Sequence, residues 1–270
     1  MADPASSPTW QALLEGSSEG LNETRRRFRH VPSPPRCKMC YAPFAGIGGV
    51  VLKRWFGPWE ANPSICKTCF GTLSKAGPGG AEVSLSLLFA DIRGSTGLAE
   101  RVGPAAFSAI LQAFYGHAVA AIDGANGILD KFVGDEAIGL FIPGLTGPDF
   151  VTRAVDAGRS LLRAVAAADA SPDGPIPVGA AVHTGVAWVG TVGPTGQIRD
   201  FTALGDPVNS TARLASVAGA WELLVSVETI EQGRLVLGPN ERRSVDVRGR
   251  DAPIEVEAIQ VGPAGPGMAG

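Results

Sequence analysis

Residues 128–142 read ILDKFVGDEAIGLFI, two apolar runs meeting at Gly134-Asp135, with Lys131, Asp135 and Glu136 set inside them. Strand-like runs joined by a glycine-containing turn are the pattern of a short hairpin. Charges inside such a pattern are costly to bury unless they are paired or coordinate something. The candidates are a salt bridge such as Lys131 with Asp135, a metal, or a ligand that is itself charged.

The neighbouring sequence supplies the rest of a mixed fold. VSLSLLFADI at 83–92 reads as a strand buried on at least one face. GPAAFSAILQAFYGHAVAAID at 103–123 reads as a helix, with Phe107, Ile110, Leu111 and Phe114 at helical spacing. Downstream, a second helix fits Phe150 to Ala168, and IPVGAAVHTG, VAWVGTVG and IRDFTALG are strand-like. DPVNSTARLASVA follows as a helix, and ELLVSV, RSVDVRG and IEVEAI as short strands. Strands and helices interleaved around hairpins predict a sheet with helices packed on it.

Asp91 ends the first of these strands, just before RGST. A strand pairing beside the hairpin would bring Asp91 and Asp135 to one sheet edge, where they would either raise one another's pKa or be neutralised by divalent cations. Mg²⁺ is usually held by one or two carboxylates plus substrate phosphates, which points to two-metal phosphoryl chemistry. Gly94, Ser95 and Thr96 then lead into a helix whose first N–H groups can cradle phosphate oxygens.

The whole chain has 270 residues, 45% hydrophobic content and a formal net charge of -3, enough for a packed core but without the basic field that binds nucleic acid. The run Arg25-Arg26-Arg27 reads as a solvated face. No stretch reads as the roughly 18 apolar residues of a membrane span, and MADPASSPTW lacks the layout of a signal peptide. A soluble cytoplasmic protein is expected. The organisation reads as a helical or flexible segment at 1–35, a four-cysteine module at 36–73, a Gly/Pro linker at 74–82, a large domain at 83–262 and a disordered tail at 263–270.

Cys37, Cys40, Cys66 and Cys69 form two CxxC pairs, CKMC and CKTC, separated by 25 residues. Four thiolates suit a structural Zn²⁺ in a treble-clef or ribbon arrangement, with an iron site or a redox thiol pair as alternatives. The module is open to three roles: stabilising a dimer, binding a regulatory partner, or sensing metal or redox state.

FADIRGST, KFVGDE, AVHTGVAWVGTVG and FTALGDPVNSTARL occur in this order between about Val83 and Val261. Together they resemble the class III adenylyl/guanylyl cyclase catalytic domain. The resemblance implies an α+β fold, a ferredoxin-like βαββαβ core with extra strands, working as a head-to-tail homodimer with shared active sites. Position by position, Asp91, Ile92 and Asp135 match the metal-binding set for two Mg²⁺ or Mn²⁺, and Lys131 matches the residue that recognises adenine. Thr202 falls at the second base-reading position. Asn209 and Arg213, four apart on one helix face, match the pair that orients the ribose and stabilises charge on the reacting phosphate. Arg248 falls near a basic residue for the terminal phosphates. Ser95 departs from the phenylalanine often found in this motif.

The implied reaction turns ATP into 3′,5′-cyclic AMP and pyrophosphate. The alternatives are a guanylate cyclase, disfavoured by Lys131, or a catalytically silent cyclase-fold dimer acting as a scaffold. His30, His117 and His183 receive no catalytic role, and Trp188 is expected to pack in the core or at a dimer interface.

Overall fold

In the computed structural model, residues 8–31, 35–60, 62–75, 79–168, 170–171, 174–193, 200–247 and 252–262 are described. Arg248 and the tail expected at 263–270 lie outside them. The chain opens with helices α1 (Pro8–Glu15), α2 (Glu19–Phe28), α3 (Gly46–Phe56) and α4 (Lys67–Lys75). Strand β1 (Gly79–Ile92) leads to α5 (Ser95–Val102), α6 (Pro104–Gly124) and the hairpin β2 (Ile128–Val133) with β3 (Glu136–Phe141). Next come α7 (Pro143–Thr146), α8 (Phe150–Ala167), β4 (Val178–Val192) and β5 (Asp200–Leu204). The chain closes with α9 (Asp206–Val217), β6 (Glu222–Ser226), α10 (Val227–Gly233), β7 (Glu241–Val245) and β8 (Ile254–Gln260).

The strands run in the order β2-β3-β1-β4-β6-β8-β7, with β5 paired to β4. The first four of these and their helices are the ferredoxin-like βαββαβ core, and the remaining strands are the additions. β1 pairs antiparallel with β3, β3 with β2, and β6 lies parallel to β4.

Two compact units divide the chain, one of residues 1–84, 142–148 and 186–205, the other of 85–141, 149–185 and 206–270. In the second unit the alternation of the strands sorts their side chains. Leu88, Ala90, Ile92, Ala137, Val182 and Leu223 join the buried cluster against α6 and α8. That cluster takes Ile110, Phe114, Ala118 and Ile122 from α6, so the predicted stripe is core. On α8 it takes Val151, Ala154, Val155, Leu161, Leu162 and Val165, spaced to keep one helix face inward. Successive strand residues point to opposite faces, so Phe89, Asp91 and their cross-strand partners Ile138 and Glu136 occupy the face away from these helices.

In the first unit, Trp10 and Leu14 of α1 are buried, and Trp10 stacks on Phe201 of β5 at 6.3 Å. Trp188 lies against Gly80, so it packs within this unit.

Several elements correct the sequence reading. The first 35 residues hold two helices where one was expected, because α2 is mostly polar and has no fully buried residue. β4 is one strand of 15 residues where two strand-like runs were read. The glycine between those runs, Gly185, marks a close approach and not a break: a Cβ there would meet Pro207 Cγ at 2.8 Å. β1 starts at Gly79, within the stretch read as linker. Finally, α6 is long and apolar enough to cross a membrane by composition, contrary to the reading that no such run exists. Its many alanines raise its hydropathy while one face packs in the core.

Candidate functional site

The hairpin and the end of β1 build one edge of the second unit. Asp91 pairs with Glu136 across β1 and β3, and the Ile92 N–H donates to the Asp135 carbonyl at 3.3 Å. That bond pins the Gly134-Asp135 turn beside the strand end, which brings the Asp135 carboxyl close enough to act on that of Asp91. Burial pushes the Asp91 carboxyl up to about 6, the Arg93 charge pulling the other way and Asp135 adding to the rise. Burial likewise pushes Glu136 up to about 7, reinforced by the negative charges of Asp91 and Asp135. Desolvation and like charge both disfavour the ionised forms of Asp91 and Glu136, and a cation bound at this edge would offset both effects.

Hard carboxylate oxygens on a half-exposed edge, with room for further ligands, suit Mg²⁺ or Mn²⁺. Arg93 meets part of the need: its guanidinium pairs with Asp91 and also donates to the Ser216 carbonyl at 2.8 Å. After Arg93, Gly94 takes the left-handed conformation at φ 67° and caps α5. No heavy atom lies within 4 Å of where its Cβ would be, so glycine is required there by the backbone angle and not by space. Ser95 and Thr96 form the first turn of α5, with the helix N-terminus open to solvent.

Lys131 lies on β2 beside a register shift between Leu129 and Lys131, and its Nζ is 3.7 Å from Asp130 Oδ1. It pairs with Ile138 across the hairpin, which sets it on the same sheet face as Asp91 and Glu136. Tyr115 on α6 holds this hairpin from the other face. Its ring stacks on Phe132 at 3.9 Å and its hydroxyl donates to the Gly134 carbonyl.

Asn209 and Arg213 are exposed on one face of α9, while Pro207, Ser210, Thr211, Leu214 and Ala215 face inward. Arg213 borders a cavity of about 310 Å³ together with Leu224 of β6 and Arg243, Ser244 and Asp246 at β7. Strand β4 stands between β1, which carries Asp91, and β6. Two strand spacings, about 10 Å, therefore separate the carboxylate edge from the strand below Arg213. The carboxylates and the Asn209–Arg213 face thus lie over different strands, with Arg93 reaching from Asp91 to the last turn of α9. Thr202 is buried on β5 opposite Gly190 of β4.

Tyr115, Arg93 and Glu136 are the residues that sequence reasoning left without a role. Glu136 was visible as a charge in the hairpin, and Arg93 lay within a quoted motif. Nothing in the spacing of α6 set Tyr115 apart from its core neighbours. His183 is buried and bonded through Nδ1 to Ser226 Oγ at 2.8 Å, the structural role expected of it. His30 is exposed.

In the first unit the four cysteine sulfurs lie within 4.8 Å of one another, with Cys37 to Cys69 at 3.9 Å and Cys40 to Cys66 at 3.7 Å. A tetrahedral ion with zinc–sulfur bonds of about 2.3 Å sets its ligands about 3.8 Å apart, so the donor set fits zinc and is too open for a disulfide. Hydrogen bonds from the Cys40, Cys66 and Cys69 thiols drive the Cys37 thiol well below its ordinary value. The Cys66 N–H donates to Cys37 Sγ and the Cys69 N–H to Cys66 Sγ, each at 3.3 Å. Arg25 lies over the Tyr41 ring at 5.1 Å and donates to the Met39 carbonyl at 2.6 Å, bracing the first cysteine turn.

Comparison with known proteins agrees with this geometry. Residues 81–259 match the family model described as the adenylate and guanylate cyclase catalytic domain. The Mycobacterium tuberculosis protein Rv1319c is 31% identical over 65% of this chain and 32% of its own length. The chain thus spans about a third of the curated relatives it matches. Among solved structures, the guanylyl cyclase Cya2 is 25% identical with a TM-score of 0.63, covering 70% of this chain and 98% of that one. The adenylyl cyclase CyaB from P. aeruginosa is 26% identical with a TM-score of 0.56, covering 67% and 95%. The ordered motifs, the strand order and the carboxylate edge meet in one assignment: the chain belongs to the adenylate and guanylate cyclase catalytic domain family.

Proposed function

We propose that the chain is an adenylate cyclase of the cytoplasm, making 3′,5′-cyclic AMP and pyrophosphate from ATP as a head-to-tail homodimer. The observation that carries this reading is the placement of the carboxylates and of the Asn209–Arg213 face over strands on either side of β4. A head-to-tail pair would set the carboxylate edge of one copy against the α9 face of the other, twice.

Asp91 and Asp135, with Ile92 between them, would hold Mg²⁺ or Mn²⁺, which when bound lowers the pKa of the ribose 3′-hydroxyl and neutralises phosphate charge. Lys131 donates to a ring-nitrogen acceptor of adenine, and the Thr202 hydroxyl accepts from the exocyclic amino group. Asn209 orients the ribose so that its 3′-oxygen stands in line with the α-phosphorus. The new bond joins that oxygen to phosphorus while the bond to the bridging oxygen of pyrophosphate breaks, and the hydroxyl proton passes to solvent. Arg213 donates to the equatorial oxygens as their charge grows. Nucleophile and electrophile share one molecule, so most of the rate comes from holding the ligand in reactive geometry. The helix start at Gly94, Ser95 and Thr96 serves the phosphates with backbone N–H groups.

The four cysteines are assigned one structural Zn²⁺, supported by the sulfur spacing. The deciding experiment incubates the chain with ATP or GTP, each with Mg²⁺ or Mn²⁺, and follows cyclic nucleotide and pyrophosphate, with Asp91→Ala as control. Cyclic AMP lost in the variant supports the reading. Cyclic GMP would make the protein a guanylate cyclase, and no product from a dimeric preparation would make it a silent scaffold.

A further inference from the structure

Helix α3, in the loop between the two cysteine pairs, turns an apolar face to solvent. Ile47 is 88% exposed, Val50 81%, Val51 65% and Trp55 58%. Their positions i, i+3, i+4 and i+8 form one stripe along the helix. The opposite side is the one that packs: Gly49 is buried, Leu52 and Phe56 are half-buried, and Phe56 meets Phe28 of α2 edge-on at 5.2 Å. The cysteine pairs bracket this helix, so a folded module holds the stripe outward.

The charge around the stripe has one sign. Residues 36–75 carry six Lys or Arg and a single acid, Glu60, in a chain whose net charge is -3. Lys53 and Arg54 are exposed in the last turn of α3 beside Trp55. The contact of Phe28 with Phe56 brings the basic end of α2, with Arg26 and Arg29 exposed, to this same end of the helix. An apolar stripe, an exposed tryptophan and flanking cations are what an interfacial helix presents to a bilayer. At 11 residues α3 is too short to span one.

We propose that α3 docks the chain onto an anionic lipid surface, the stripe entering the headgroup boundary while Lys53, Arg54, Arg26 and Arg29 face acidic headgroups. A nucleic acid would use the cations but would leave Ile47, Val50 and Val51 in water. A second copy would cover the stripe but would stack Lys53 and Arg54 on their own kind in a parallel pairing. This inference stands apart from the cyclase reading and needs no turnover to test.

The experiment is co-sedimentation of the zinc-loaded full chain with phosphatidylcholine vesicles, alone or with about 30% phosphatidylserine, with tryptophan emission followed in parallel. Expected are binding at least about tenfold stronger to the acidic vesicles, weakened by salt, and a blue shift of emission. The double variant Val50→Asp/Val51→Asp should lose about tenfold or more in binding, and Lys53→Glu/Arg54→Glu should lose the preference for acidic lipid. Zinc content at the wild-type level shows that each variant keeps its module. The proposal is overturned if wild-type chain stays in the supernatant with every vesicle, or if both variants sediment as it does. It is equally overturned if the aspartate variant instead halves the mass seen in sedimentation equilibrium, which would show that a second copy covers the stripe.

Discussion

Two places in this molecule gather like-charged or charge-prone groups, and they are built in opposite ways. Around the cysteines, sulfurs at 3.7 and 3.9 Å are enclosed, with Cys37, Cys40 and Cys66 buried and backbone N–H groups aimed at sulfur. Around the hairpin, Asp91, Asp135 and Glu136 stay half-exposed at a sheet edge, and an arginine already shares one of them. The first arrangement fills all four places of a tetrahedral ion. The second leaves places open, as a site must when part of the ligand sphere is substrate. A closed site spends its binding energy on folding, and an open one keeps it for chemistry.

The largest effect expected is therefore on the closed site. In Cys66→Ser, zinc should fall from about one ion per chain to none, and the segment through Lys75 should become open to protease. Metal analysis with limited proteolysis reads both changes. A variant that kept its ion and its resistance would show that this cluster does not depend on metal.

The open site should behave in the reverse manner. Asp91→Asn is expected to lower cyclase kcat by about a thousandfold or more, since it removes a ligand acting on the reacting oxygens. Its metal-free melting temperature should not fall, because the change removes a charge from a crowded, partly desolvated cluster. Loss of activity together with loss of fold would erase the contrast between the two sites.

Tyr115→Phe probes how the open site is held. The variant keeps the stack on Phe132 and loses only the bond to the Gly134 carbonyl. A drop of about 1 kcal/mol in stability is expected, with a kcat loss of several-fold at nearly constant KM, because the turn carrying Asp135 is less fixed. An unchanged kcat would free the hairpin from its dependence on α6.

How far the sequence revealed these sites follows from what each depends on. The hairpin was legible because its turn and its alternating residues are local, and the cysteine spacing is local too. Asn209 and Arg213 were singled out by the resemblance of FTALGDPVNSTARL to the family motif, and their spacing added only that they share a helix face. Tyr115 was not, since its partner is 19 positions away and only the packing of α6 on the sheet brings them together. Helix α3 was missed for a related reason. Its apolar residues face water, so they looked like ordinary filling between ligands until the cysteine module fixed which side was inward. α2 was missed because none of its residues is fully buried and Leu21 and Phe28 alone make no apolar period to read.

The smallest effect expected is a change in the shape of a pH curve, and it bears on the same contrast. The folded values of Asp91, about 6, and Glu136, about 7, lie above their ordinary values of 3.8 and 4.5. Between those limits the folded chain keeps protons that the unfolded chain has released, so rising pH favours unfolding. The metal-free chain should thus lose stability between about pH 4 and pH 7, and Glu136→Gln, by removing the higher titration, should end the decline near pH 6. Melting curves in EDTA across this range check it, and parallel curves for the two proteins would exclude Glu136 from the cluster. Mn²⁺ should flatten the wild-type curve, because a cation on the carboxylates holds them ionised at lower pH and offsets the repulsion that burial magnifies. The thiol cluster should show the opposite dependence, since its four ligands are deprotonated around the ion and take up protons when unfolding releases it, so its stability rises with pH.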